Sequence, residues 1–417
     1  MTGFTSPVRF LTRTTFQFTF TFFLNYGGIC SYNGNVMHRL KNILSTKNTV
    51  IIKIGTNLLA DKMNGINAEH INNIVGGVMH LKSLGHNVAL VSSGAIGAGV
   101  AALQLKERPK SIPEKQATAA IGQPLLMEAY EHSFRKSGLH IAQLLLTKDD
   151  FINRTRYVNA KNTFSVLFEK GAVPIVNEND TVSVEEIKLG DNDNLSALVA
   201  NLVEADLLIV LTDIDGLFSD DPAKNPAAEL IPVVEKITPQ IEKLAKASAS
   251  ELSTGGMITK IQAAKRCTSA GTAMIITNGN NPHTIEEIFS GSFRGTLFLP
   301  ESKTLNVRKM WIGFISHSKG FVVVDGGAKE ALLVKKKSLL PSGIVEVNGD
   351  FKKNDTVTIR DTEGNHLAKG ITAYSSIELE KIKGKNTNEL EKILHRKSAG
   401  EVIHRNNLVL IGEGEEQ

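Results

Sequence analysis

The sequence predicts an α/β protein: a three-layer αβα sandwich around a largely parallel central sheet, followed by a small C-terminal β-barrel. Three observations predict it. Apolar, β-branched runs alternate with helical periodicity from about residue 49 to about residue 300. Runs such as "LLIVL" at 207–211 are apolar without interruption, as strands covered on both faces are. Past residue 318 the texture changes to short strands separated by Gly, Asn and Asp turns, which favours a compact β domain over further βαβ units.

Taken in order, "TVIIKIG" from Thr49 reads as a strand, residues 68–84 as a helix, and "NVALVSSGAIGAG" as a strand breaking into a Gly/Ser loop. A helix follows through "KQATAAIGQPLLMEAYEHSFRKSG", then the strand "HIAQLLLT", a helix over 159–170 and the strand "AVPIVNEND". Next come a helix over 194–204, the strand "ADLLIVLTDIDG", the helix "GGMITKIQAAKRCTSAG" and the strand "TAMIITNG". The later strands are "GFVVVDGGA", "SGIVEVNGD", "DTVTIRDTEGN" and "LAKGITAYSS".

At 417 residues the chain is too long for one ordinary core. The expected division is an extension over 1–46, an α/β domain over 47–300, a linker over 301–317 and a β domain with its tail over 318–417. With 41% apolar and 22% charged residues, the chain lies outside the regime of disorder. The net charge of +4 is too nearly balanced to mark a nucleic-acid or anionic-membrane surface. Two cysteines, Cys30 and Cys267, with no CxxC spacing, argue against a disulfide framework or structural zinc and fit a reducing cytoplasm.

The first residues are foreign to the rest, with "TTFQFTFTFFL" at 14–24 and no acidic residue before Asp61. Thr and Gln interrupt that run and it is too short to cross a bilayer, so no membrane association is expected. Met37 is read as the functional start, with a translated leader ahead of it and no function assigned to it.

Candidate chemistry begins at Lys53, a lysine in an otherwise apolar strand. Its ammonium has to leave at the carboxyl end of the sheet, where ligands bind such folds and where a phosphate is the natural counter-ion. "SSGAIGAG" at 92–99 places glycines at a strand-to-helix handover, where backbone N–H groups can approach an anion. "NENDTV" and "GDNDN" are read as loops whose carboxylates and amides can bind an ammonium group and orient a lysine or Mg²⁺. Thr212 and Asp213 end another buried strand, and "STGGMITK" leads glycines into a helix bearing Lys260. Two lysines from opposite halves of one sheet suit phosphoryl transfer, which asks mainly for alignment and charge neutralisation. Serine-hydrolase and zinc-protease signatures are absent from the sequence.

"IIKIGTNLL", "VSSGAIGAG", "KQATAAIGQ", "VPIVNENDTVSVEEIKLGDNDNLSALVA", "LTDIDGLFSDDP" and "STGGMITKIQAAK" together resemble the amino acid kinase family in order and spacing. Within it they resemble members that phosphorylate the side-chain carboxylate of L-glutamate. The resemblance implies that Lys53 and Lys260 stabilise the transferring phosphoryl group and that Asp193 orients them. It implies glutamate binding by Ser93, Asp180 and Asn192. ATP contacts would come from Lys53, Thr212, Asp213, Thr254, Gly255, Gly256, Met257, Ile258, Thr259 and Lys260, with Mg²⁺ carried on the ATP phosphates and no direct protein ligand. Proline as a feedback inhibitor, a homo-oligomer and coupling to a glutamate-5-semialdehyde dehydrogenase are further implications. The C-terminal part resembles a PUA domain, whose relatives bind RNA, so the Lys335 to Lys337 run reads as either an RNA patch or a solvated basic turn. A kinase for another small acid, and an RNA-binding protein with a vestigial kinase fold, are the competing readings.

Overall fold

The computed structural model describes residues 40, 41, 43, 44, 48–61, 65–183, 192–247, 256–301, 312, 318–396 and 400–410. The first sheet has eight strands in the order β3-β4-β2-β1-β5-β7-β8-β6. These are β1 (Thr49–Ile54), β2 (Asn87–Ser92), β3 (Ile141–Leu146), β4 (Val173–Glu178), β5 (Leu207–Thr212), β6 (Val233–Val234), β7 (Ala273–Asn278) and β8 (Gly295–Phe298). Pairing is parallel except between β7 and β8.

The uninterrupted apolar strands are explained by two cores, one on each face of the sheet. Val50, Ile52, Ile54, Val88, Leu90, Ile175 and Ile209 face one core. Helices α1 (Ala68–Ser83) and α3 (Ile112–Lys136) close it with Ile71, Ile74, Leu126, Tyr130 and Phe134. Ile51, Ala89, Val91, Val176, Leu208 and Val210 face the other. There α5 (Asn192–Leu202) and α6 (Met257–Ala270) supply Leu195, Leu198, Ile261 and Ala264. Each fully buried Leu, Ile or Val contributes about 1.5–3 kcal/mol, so the sheet is held from both sides. Lys53 shares its parity with Ile51, and for that reason it points to the face carrying α5 and α6.

Helix α2 (Ala95–Ala102) follows β2, with Gly94 at φ +106° as its N-cap, a conformation that suits glycine. Helices α2 and α3 touch backbone to backbone. A Cβ on Gly99 would lie 2.0 Å from Thr118 O, and one on Gly122 1.9 Å from Ala95 O. Helix α3 runs unbroken through Pro124, as the sequence reading has it. Two helices start earlier than that reading places them: α4 (Arg154–Glu169) at its Asn153 cap, and α5 at Asn192, so that "GDNDN" is partly helix and not wholly a loop. Asn177 and Glu178 likewise still belong to strand β4.

The second sheet has the order β10-β9-β11-β12-β13, built from β9 (Gly320–Val324), β10 (Ile344–Gly349), β11 (Thr356–Asp361), β12 (His366–Ile371) and β13 (Leu408–Leu410). Helices α8 (Gly326–Leu333), α9 (Ser376–Ile382) and α10 (Leu390–Leu394) complete it around a third core that includes Val322, Ile359, Tyr374 and Leu379. Helix α7 (Thr284–Ser290) belongs to the first sheet's covering. The Lys335 to Lys337 run is an exposed turn after α8, with Lys335 paired to Glu330 at 3.1 Å.

Leu40, which the sequence reading puts in the extension, is 1% exposed and packs in the α1/α3 core, so the packed chain reaches back past residue 47. The rest of that extension and nearly all of 302–317 lie outside the described residues. Among the described residues no helix is long and apolar enough to cross a membrane.

Candidate active site

Three side chains from three elements meet where β1 ends. Lys53 Nζ lies 2.6 Å from Asp193 Oδ1 in an ion pair. Lys260 Nζ, from the first turns of α6, donates to Asp193 Oδ2 at 3.1 Å. Thr259 Oγ1 donates to the same Oδ2 at 2.9 Å. Exposures of 6%, 3% and 0% for Lys53, Lys260 and Asp193 put the cluster almost wholly out of water. Burial pushes the Asp193 carboxyl up, but Lys53, Lys260 and Thr259 outweigh it and hold the group below its ordinary value. Lys53, Lys260 and Asp193 sum to one positive charge, and a buried excess of that sign fits a phosphate.

The opposite face of the sheet supplies a chain of amides. Asn192, at the start of α5, reaches over the strand ends and donates from Nδ2 to Ser93 Oγ (2.8 Å), Ser92 O (3.0 Å) and Asn177 Oδ1 (3.0 Å). Ser92 and Asn177 point to the α3 side, and α3 holds both: Tyr130 OH lies 3.0 Å from Ser92 Oγ, and Gln123 Oε1 accepts from Asn177 Nδ2 at 2.8 Å. Asn192 and Asp193 thus stand side by side on one helical turn, one serving each half of the site.

Asp180 lies three residues beyond Asn177, half-buried in a turn that Asn179 N pins to Leu146 O at 3.0 Å. Thr212 ends β5 next to β1 and donates to Asp213 Oδ1 at 3.1 Å. Asn57 Nδ2 takes the other oxygen of Asp213 at 2.9 Å. Burial raises the Asp213 carboxyl, while Asn57 and Thr212 more than offset that and lower it. Gly256 caps α6 in extended backbone without a side-chain bond, leaving the amide end of a 14-residue helix beside Lys260. Thr254 and Gly255 lie outside the described residues. Met257 is in the core, and Ile258 packs against it, so their contribution to a nucleotide would be backbone.

The structure therefore brings Lys53, Asp193, Lys260 and Thr259 together in one cluster and Ser93 with Asn192 in another. Sequence reasoning passed over Asn57, Gln123 and Tyr130 as partners of these groups, whereas Asn177 belongs to the amides read in "NENDTV". Gln123 sits in the quoted run "KQATAAIGQ", yet nothing in a one-dimensional pattern says which loop a helix side chain will meet. Among the described residues no cluster of His, Cys, Asp and Glu is arranged to hold a metal ion.

The sequence profile of the amino acid kinase family matches residues 48–278, and that of the PUA domain matches residues 320–394. The glutamate 5-kinase of Thermoanaerobacter sp. (strain X514) is 49% identical over 366 residues, covering 88% of this chain and 98% of that one. The glutamate 5-kinase of Citrifermentans bemidjiense is 46% identical over 371 residues, covering 89% and 100%. Among solved structures, carbamate kinase from Giardia lamblia bound to AMP-PNP is 18% identical with a TM-score of 0.44, over 62% of this chain and 100% of that one. With a family profile over more than half the chain and nearly full-length relatives at these identities, the chain belongs to the amino acid kinase family, among its glutamate 5-kinases, with a PUA domain behind the kinase fold.

Proposed function

We propose that this protein transfers the γ-phosphoryl group of ATP to the side-chain carboxylate of L-glutamate, forming L-glutamate 5-phosphate and ADP as the first step of proline biosynthesis. The observation that carries the reading is the buried Lys53–Asp193–Lys260 cluster at the carboxyl ends of the strands, joined through Asn192 to an amide-lined acceptor side. Mg-ATP enters as a substrate, its phosphates meeting the α6 amide end and the two ammonium groups, with the metal brought on the nucleotide. In this reading Thr212 and Asp213 meet the nucleotide, and Ser93, Asp180 and Asn192 bind glutamate.

In the transfer, a γ-carboxylate oxygen of glutamate forms the new P–O bond while the bond between the β,γ-bridging oxygen and the γ-phosphorus breaks and ADP leaves. The nucleophile is already ionised at neutral pH, its ordinary value being about 4.3, so no general base is needed. Lys53 and Lys260 neutralise charge on the phosphoryl oxygens as it develops, and Asp193 keeps both ammonium groups in place when no phosphate is there. Because acyl phosphates are labile and the product cyclises readily, coupling to a glutamate-5-semialdehyde dehydrogenase belongs to the same reading. Proline inhibition at or near the glutamate site, homo-oligomer formation, RNA binding by the PUA domain and a cytoplasmic location are carried by the resemblance alone.

An ADP-release assay across L-glutamate, N-acetylglutamate and L-aspartate tests the reading. Turnover is expected with glutamate and is expected to fall about a hundredfold or more in Lys260→Ala. Turnover with another acid and none with glutamate would sink it.

A further inference from the structure

Two backbone groups dictate how the amides on the acceptor side are turned. The Glu178 N–H can only donate, and it donates to Asn177 Oδ1 at 2.9 Å. Asn177 must then present its Nδ2 in the other direction, where Gln123 Oε1 receives it at 2.8 Å. The Ser92 carbonyl can only accept, and it takes Asn192 Nδ2 at 3.0 Å, which that nitrogen shares with Asn177 Oδ1 and Ser93 Oγ. Asn192 is left with its carbonyl Oδ1 facing away from the chain of amides. Ser93 Oγ, already accepting from Asn192, keeps its own proton to donate outward. An outward acceptor on Asn192 and an outward donor on Ser93 match the ammonium and the carboxylate of an amino acid.

We infer that Gln123 is the positioning residue that, together with the Glu178 N–H, holds Asn177 in this polarity, so that the acceptor side selects a free amino acid over its N-acylated analogue. It acts through Asn177 and Asn192, and the inference rests on the glutamate reading above. Its own Nε2 has no partner among the described residues, so the group in use is the oxygen. Without that oxygen, Asn177 Nδ2 loses its acceptor in a part-buried place and only the Glu178 N–H still opposes a turn of the amide, so its carbonyl is held less firmly toward Asn192.

Helix α3 is suited to the task by its spacing. Gln116, Gln123 and Tyr130 are seven residues apart and lie on one stripe of the helix. Each serves a different segment at the strand ends: Gln116 Nε2 donates to Ser183 O at 3.0 Å, Gln123 takes Asn177, and Tyr130 takes Ser92. The glycine contacts of Gly99 and Gly122 lock the same helix to α2, which begins at Gly94 beside Ser93.

The test is steady-state kinetics of the full chain with Gln123→Met and Gln123→Glu. The Met variant keeps the bulk and loses the oxygen, whereas the Glu variant keeps an acceptor for Asn177. Gln123→Met is expected to raise the KM for L-glutamate about tenfold, with kcat and the KM for ATP within about twofold, and to narrow the preference for glutamate over N-acetylglutamate. Gln123→Glu is expected to stay within about threefold of the parent in all three constants. Gln123→Ala removes the same oxygen and replaces the Met variant if that one fails to fold. An unchanged KM for glutamate in Met and Ala, or a Glu variant as impaired as they are, overturns the inference while the kinase reading stands. A parent protein that turns over no glutamate ends both.

Discussion

At the scale of single residues, the site is a problem in burying charge. Lys53 was legible in the sequence because an ammonium in an apolar strand has to find an anion. Residue chemistry alone reads Asp193 as one of the acidic groups of a loop, and the family resemblance implies its role with the two lysines; its position between them comes with the helix that starts at Asn192. Removing that carboxylate leaves two buried ammonium groups without their shared partner, so Asp193→Ala is expected to cost about 3–5 kcal/mol in denaturant unfolding. Lys260→Ala leaves the Lys53–Asp193 pair in place, and its expected cost is in kcat, about a hundredfold or more at saturating substrates.

The Asp193 carboxyl is held below its ordinary value of about 3.9 in the folded state. Its contribution to stability is therefore complete above about pH 4 and is lost as pH falls through the folded value. Asp193→Asn should flatten the fall in unfolding free energy below about pH 4 relative to the parent. An equally steep fall in that variant would mean that the site's acid sensitivity comes from other carboxylates.

At the scale of elements, the two glycines of the α2–α3 contact were quoted in the sequence as possible anion-binding glycines or as part of a motif. The structure uses Gly99 and Gly122 for close packing instead, because a Cβ at either would enter a neighbouring carbonyl. Gly122→Ala is expected to destabilise the fold by about 3 kcal/mol and to raise the glutamate KM through movement of α3, which thermal denaturation and kinetics check together. Tyr130→Phe removes only the hydroxyl that meets Ser92, and an expected loss of about 1 kcal/mol reports that bond.

At the scale of the whole molecule, two sheets have separate cores, and the change of texture past residue 318 foretold the second one. In that sheet Asp361, 4% exposed, accepts from Lys329, Asn365 and the Glu363 amide, and the bonds from Lys329 and Asn365 lower its carboxyl well below the usual range. Asp361→Ala is expected to lower the thermal stability of the C-terminal sheet without changing the KM for glutamate. Cys267 is fully buried in α6 and burial pushes its thiol up to about 12, so it should resist thiol reagents until the kinase fold opens.

The sequence by itself determined the kind of fold, because strand and helix periods, uninterrupted apolar runs and turn residues are local properties that the chain carries wherever it goes. It also determined which residues were chemically fit for the work: two lysines, a set of amides and carboxylates, and glycine-rich helix entries. Only the tertiary structure decided their partners. Lys53 and Lys260 meet at Asp193 because strand parity and the choice of covering helices put all three on one face of the sheet. Asn192 meets Ser93 because its helix begins at the open strand ends. Such pairings join residues about 70 to 140 positions apart in the chain, so no local period can encode them.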